Sequence, residues 1–364
     1  MGIYLDWAST SPICDSAKNV MINYINDFGN PSSQHELGRQ ARVLIEDARE
    51  RIAKCINAEP NEIYFTSGGS EANSWALHDY ISVSSNFEHH SVRAKLSNVW
   101  IDKDGFVKTE FFDRINHSLA GYFNLGSCIM INNEIGTIQP IKDIASILHS
   151  KNRLCHTDAV QAVGHVPVDV KDLNCDMLSA SGHKFGSPKG IGFLYIKNGI
   201  EFRNLINGGK QEFSKRGGTE NVLGIISMAA ALEDAVEHME ERNEHIKYLR
   251  DKLLNQLLQI PGSHLNGSLK NRVCSNINIR FDGVSGSRLV TLCSLYGIYI
   301  SAGSACNEGI STPSHVLKAI GLTDEEALSS VRITIGYTNT ESEIDQAADI
   351  ITKLVERIRG DNEQ

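Results

Sequence analysis

The sequence predicts an α/β protein with a mostly parallel central sheet, followed by a smaller α+β unit. Three observations carry this prediction. Short apolar segments of strand length alternate with helix-length stretches over the first part of the chain, the pattern of buried parallel strands joined by crossover helices. After Thr219 that alternation gives way to a long helical stretch and then isolated strands. The chain has 364 residues, which at about 150 residues per domain suits roughly two domains.

Taken in order, Leu37, Ala41, Leu44, Ile45, Ala48, Ile52 and Cys55 recur at helical spacing, so an amphipathic helix is expected over 36–57. Residues 62–66 (EIYFT) read as a strand that runs into Ser67-Gly-Gly-Ser-Glu-Ala-Asn73, a glycine turn with a helix start behind it. Further strands are expected at 127–131, 153–156, 177–180 and 191–196. A long helical stretch over 222–258 stops at Pro261-Gly262. A strand at 275–281, a helix at 287–296 and a strand at 331–335 follow. Capping boxes at Thr323 with Glu326 and Thr340 with Glu343 open the last helices. The final helix gathers Ile344, Ala347, Ile351, Leu354 and Ile358 on one face, and 359–364 is expected to fray. The expected division is a large domain over 14–250 and a small one built from 1–13 plus 251–364.

Charge and composition exclude several function classes. Thirty-five Lys and Arg stand against 44 Asp and Glu, a net charge of −9, which argues against bulk nucleic-acid binding. No apolar run approaches the ~20 residues of a membrane helix, and the N-terminus lacks the basic and apolar regions of a signal peptide. A cytoplasmic location is expected. The eight cysteines form no CxxC pair, so neither a zinc site nor a disulfide framework is predicted. Seven read as small core hydrophobes. Cys306 differs, because the surrounding Ser301–Pro313 stretch is small, polar and loop-like, which leaves a thiol accessible.

Ligands of open α/β sheets bind beyond the carboxyl ends of the strands. Four such ends carry chemistry. Thr66-Ser-Gly-Gly-Ser70 offers backbone N–H groups and hydroxyls at a helix start, an anion site. Asn132-Asn133-Glu134 and His156-Thr157-Asp158-Ala-Val-Gln161 bring amides and carboxylates. Ser181-Gly-His-Lys184 brings an amine to the same rim. A carboxylate there needs a cation opposite it. Phosphate donors, a buried Asp and a rim Lys are the parts that pyridoxal phosphate requires: a Schiff-base amine, a partner for the pyridine nitrogen and a phosphate cradle.

The chain resembles the cysteine desulfurases, class V aminotransferases of PLP fold type I. The resemblance runs collinearly through Tyr4-Leu-Asp-Trp-Ala-Ser-Thr10, Gly29-Asn-Pro-Ser-Ser-Gln-His35, Phe65-Thr-Ser-Gly68, Asn132-Asn-Glu-Ile-Gly136, Asp158-Ala-Val-Gln161, Ser179-Ala-Ser-Gly-His-Lys184, Pro188-Lys-Gly-Ile-Gly192, Arg216-Gly-Gly-Thr-Glu-Asn221, Ser304-Ala-Cys306 and Val331-Arg-Ile333. It implies a central sheet with helices on both faces. It implies Lys184 as the Schiff-base lysine, Asp158 as partner of the pyridinium, and Gln161 and Asn133 on the ring hydroxyl. His89 would stack on the ring and share acid–base work, with His90 as the alternative register. Gly69, Ser70, Ser181 and His183 would hold the phosphate, joined by Thr219 of a partner subunit; a helix cap at Glu220 is the other reading of Thr219. Arg332, with Asn133, would take the substrate carboxylate. Cys306 would be the nucleophile that accepts sulfur from L-cysteine and passes it to an acceptor protein.

Several departures stand beside the resemblance. The stretch between Asn73 and His89 is shorter than usual in the family, as is the part before Asn132. Asn307-Glu308-Gly309 replaces small hydroxylated residues, and Glu308 beside Cys306 disfavours a thiolate. The other readings are a selenocysteine lyase or another class V activity, and a non-catalytic scaffold of the same fold.

Overall fold

The computed structural model describes residues 2–92, 96–114, 123–302, 306–307 and 310–362, without the side chains at 96–98, 113–114, 306–307, 310–311 and 362. Among these, seven strands form the central sheet in the order Ile63–Thr66, Gly192–Ile196, Met177–Ser181, Leu154–Asp158, Leu125–Ile129, Ser82–Ser85 and Leu96–Val99. Gly192–Ile196 runs antiparallel to both its neighbours and the remaining pairs are parallel. Successive residues of a strand point to opposite faces. Both faces are covered here, for Ile63, Phe65, Phe193 and Tyr195 enter one apolar cluster while Tyr64, Leu194 and Ile196 enter another. This is why these strands read as unbroken apolar runs rather than as alternating ones.

A separate core is built around a four-stranded antiparallel sheet, in the order Ser301–Ala302, Ser330–Thr334, Asn276–Phe281 and Ser263–Leu265. The N-terminus joins this core: Ile3–Tyr4 pairs in parallel with Ile298–Tyr299, and Asp6 bridges Thr334. The chain then crosses at Trp7–Pro12 to the first core. Val316, Leu317, Ile320 and Ala327 pack with the first core although they follow the second sheet's strands in sequence.

Both capping boxes close as expected, Thr323 with Glu326 and Thr340 with Glu343. The sequence reading lacks the strands Ser82–Ser85 and Leu96–Val99 and sets one strand at 127–131 that runs Leu125–Ile129, and three further elements differ from it. The stretch over 222–258 is two helices, Val222–Glu237 and Met239–Leu257, broken at His238. The first buries residues on nearly every side in one core, whereas Ile246, Leu249, Leu253, Leu254 and Leu257 of the second belong to the other. One straight axis cannot serve both. The last helix continues through Asn362 instead of fraying at Arg359, because Arg359 donates to the Asp282 carbonyl at 2.9 Å and Arg288 pairs with Asp361 at 2.6 Å. Finally, Thr157 and Asp158 belong to their strand, held in register by Cys128, Ile129 and Ser179. No helix among the described residues is long and apolar enough to cross a membrane.

Candidate active site

A cavity of about 520 Å³ opens at the carboxyl ends of the parallel strands. It is lined by Gly69, Ser70, His89, Asn133, Asp158, Gln161, Ser181, His183, Lys184 and Arg332, ten residues singled out by the sequence. His90 does not line it; its ring packs 4.7 Å from that of His315. Thr219 is exposed and lies outside this cavity in its own chain. The cap of the following helix is Asn221, whose side chain accepts from Gly224 N, so Thr219 does not serve there.

One end of the cavity suits an anion. The helix Gly69–Leu77 starts at Gly68 with no side-chain cap. First-turn N–H groups are thereby left for a ligand, and the helix dipole adds to their pull. Gly68 has φ +148°, a conformation L-residues rarely adopt. Ser70, Ser181, His183 and Lys189 line the same pocket. Burial, then the charges of Lys184 and Lys189, push His183 down to about 4, so it is a neutral donor or acceptor at neutral pH. Its Nδ1 sits 3.1 Å from the Thr10 hydroxyl.

At the floor, Asp158 ends its strand only 2% exposed. Its carboxylate accepts from Asn73 Nδ2 at 2.7 Å and from Val160 N at 3.0 Å. Both donors are neutral. Burial raises its pKa, opposed by the Val160 hydrogen bond, His89, Asn73 and Lys184. Lys184 lies on the short turn Gly182–Lys184, and its Nζ donates to the carbonyls of Ala8 (2.7 Å) and Ser9 (2.8 Å). Burial, then the positive Arg332, push that amine down to about 8, with Asp6 and Asp158 pulling the other way. His165 Nε2, 3.0 Å from the Lys184 carbonyl, pins the backbone behind the amine. Gln161 donates to the Ala8 carbonyl at 2.9 Å.

Arg332 comes from the second sheet. Its Nη1 donates to the Asn133 carbonyl (2.9 Å) and its Nη2 to Asp6 Oδ1 (2.8 Å) and Ser9 Oγ (2.6 Å). Nε is buried with no hydrogen-bond partner among the described residues. A guanidinium held in this orientation at the rim of a cavity can receive a carboxylate.

The Cys306 side chain lies outside the described residues, as does all of Glu308. The backbone of Cys306–Asn307 pairs antiparallel with Ile310–Ser311. Both flanks of this segment are anchored at the site. Ser301 is in register with Arg332, and Ser314 Oγ donates to Glu134 Oε2 at 2.6 Å, one residue beyond Asn133. The other seven cysteines are free; five are buried and Cys55 and Cys274 half-buried. Burial raises the pKa of each, Cys55 and Cys274 to about 11, Cys175 and Cys293 to about 12. None of them is poised as a thiolate.

Comparison with known proteins places this geometry. The model of the aminotransferase class-V family matches residues 3–347. The cysteine desulfurase IscS of Methanosarcina thermophila is 40% identical over 376 residues, covering 98% of this chain and 93% of its own. The chain belongs to the cysteine desulfurases. A solved NifS-like protein superimposes with a TM-score of 0.90 at 34% identity, covering 98% of this chain and all of that one. SspA in complex with cysteine does so with a TM-score of 0.79 at 31% identity, over 93% and 100%.

The fold of this desulfurase is accordingly PLP fold type I, and its cofactor is pyridoxal phosphate. The residues present fit that group. A buried carboxylate facing only neutral donors wants a protonated ring nitrogen, and an uncapped helix start wants a phosphate. Lys184, an amine with a lowered proton affinity, lines the same cavity. Sequence reasoning missed Asp6, Ser9, Asn73 and Ser91, which orient the residues it found. Asn73 follows Gly69 by four positions, so helical periodicity alone puts both on one face.

Proposed function

We propose that this desulfurase converts L-cysteine to L-alanine and leaves the sulfur on Cys306 as a persulfide. The observation that carries the reading is the convergence of Lys184, Asp158 and Arg332 on one cavity, flanked by both anchors of the Cys306 segment. Arg332 would receive the substrate carboxylate at the cavity it lines, its guanidinium held in place by Asp6, Ser9 and the Asn133 carbonyl. Lys184 would take the Cα proton, which an amine of pKa about 8 does far more readily near neutral pH than an ordinary lysine. Asp158 would hold the proton on the ring nitrogen, and Ser70, Ser181 and His183 the phosphate. Bound pyridoxal phosphate supplies the sink for the electron pair released at Cα. The Cys306 thiolate attacks the substrate sulfur; an S–S bond forms and the C–S bond breaks with its electron pair left on Cβ, which takes up a proton, and return of the Cα proton from Lys184 completes alanine.

Thr219 lies outside its own cavity, which supports a homodimer in which each subunit completes the other's phosphate site. Seven free thiols support a reducing, cytoplasmic setting. The two apolar cores support two domains, close to 14–250 and 1–13 with 251–364, although Ile246 and Leu249 join the second core and Val273, Val316, Leu317, Ile320 and Ala327 the first. The persulfide would go to a protein acceptor for iron–sulfur cluster assembly or thiolation. Alanine release from L-cysteine in the presence of a reductant tests the reading. It should vanish in Lys184→Ala, and Cys306→Ala should lose sulfur transfer.

A further inference from the structure

We propose that Asn73 and Ser91 are positioning residues that tie His89 to Asp158 and lock the His89 ring as its Nε2–H tautomer. The proposal rests on the reading of this cavity as the cofactor site, and its chemistry follows from one continuous chain of hydrogen bonds.

The chain starts at the Asp158 carboxylate. Asn73, 1% exposed, gives one N–H of its amide to Asp158 Oδ2 at 2.7 Å and the other to Ser91 Oγ at 2.8 Å. Its Oδ1 is buried without a partner among the described residues. The opposite amide orientation would set that oxygen against a carboxylate oxygen 2.7 Å away, a repulsion that decides which way the group points. Asp158 therefore orients Asn73 at the cost of one orphaned acceptor.

Ser91 Oγ receives the Asn73 proton, so its own hydroxyl proton is free for His89 Nδ1, 2.7 Å away. The backbone N–H of Ser91 points to the same Nδ1 at 3.2 Å. A ring nitrogen facing two donors presents its lone pair. The proton of the neutral ring then belongs on Nε2, the nitrogen left for the cavity that His89 lines. Burial lowers the pKa of His89, opposed by Asp158 and reinforced by Lys184, His90 and His315, which favours the neutral ring.

The consequence concerns the division of labour. A His89 held this way meets the ligand as a hydrogen-bond donor. Protonating Nδ1 would break the contact with Ser91 N–H and force the Ser91 hydroxyl to turn from donor to acceptor, so His89 is poorly suited to take the Cα proton, and that duty falls to Lys184. The two linking residues flank the short stretch over 74–90, and their mutual hydrogen bond closes it beside the site. Asp158 and His89 are joined by neutral side chains alone.

The test is a long-range 1H–15N correlation spectrum of the full chain labelled with 15N-histidine, with the His89 signals assigned by their loss in His89→Gln. Recorded on cofactor-free protein, it reads the tautomer whether or not the cofactor assignment holds. Lys184→Ala reconstitution tests that assignment separately. The wild type should give the Nε2–H pattern. Ser91→Ala should shift His89 toward a mixture of tautomers, and Ser91→Thr should restore it. In the loaded enzyme, Ser91→Ala should lower kcat up to about tenfold, the value of one neutral hydrogen bond, with KM for cysteine unchanged. A wild-type His89 in the Nδ1–H form, or a Ser91→Ala spectrum identical to wild type, overturns the proposal.

Discussion

Arg332 donates from Nη2 to Asp6 Oδ1 at 2.8 Å, joining two residues 326 positions apart in the chain. The N-terminal segment thus crosses between the two cores to aim a guanidinium from one sheet at a cavity in the other. Asp6→Asn keeps the shape but removes the charge that holds Arg332. A charge-assisted hydrogen bond is worth about 1.5–3 kcal/mol, so KM for L-cysteine should rise roughly 10- to 100-fold, with less effect on kcat. Steady-state kinetics checks this, and Arg332→Ala should show the larger KM effect of the two.

Burial pushes Glu88 up to about 8 from an ordinary 4.5, against hydrogen bonds from Ser85 and from Ile129 N. Between those two values the folded chain keeps a proton that the unfolded chain has released. Stability linked to Glu88 is therefore present at acid pH, falls as pH rises across this window, and stays low above it. Glu88→Gln removes that slope. Thermal melts should show variant and wild type close together at pH 5. The variant should gain on wild type by pH 8.5, by an amount on the order of a few kcal/mol given about 1.4 kcal/mol per pKa unit.

Much of the fold was legible because buried parallel strands are continuous apolar runs and Gly, Ser and Thr mark their ends. The site residues that carry distinctive chemistry, Lys184, Asp158 and Arg332, were legible for a related reason: a charge within or just beyond an apolar strand has few bland explanations. Asp6, Asn73 and Ser91 were not. Asn73 meets Asp158 across 85 positions, and an Asn or Ser reads the same in sequence whether solvated or holding a carboxylate. The break at His238 was hidden because both halves of the stretch are good helices, and only their different packing partners require the turn. The last turn was expected to fray because its anchors, Asp282 and Arg288, lie some 70 to 80 residues upstream.

Ser314 has two duties: Oγ accepts the N–H groups of Val316 and Leu317 at the start of helix His315–Ala319 and donates to Glu134. Ser314→Ala strips the cap and leaves Glu134, which burial has already raised to about 7, without its hydroxyl partner. The loss should be about 1–3 kcal/mol in chemical denaturation. Persulfide formation should slow while KM for cysteine stays near wild type, because Arg332 is untouched. Single-turnover sulfur transfer measured beside the steady state separates the two effects.

The central claim is that sulfur from L-cysteine arrives on Cys306 and not on one of the seven described cysteines, which are buried or half-buried. Its most direct test is mass spectrometry of the protein, digested after incubation with L-cysteine and alkylation. The account expects one added sulfur on the peptide carrying Cys306, absent in Lys184→Ala. An added sulfur on Cys55, Cys274 or any other cysteine, with the Cys306 peptide unmodified, would contradict it.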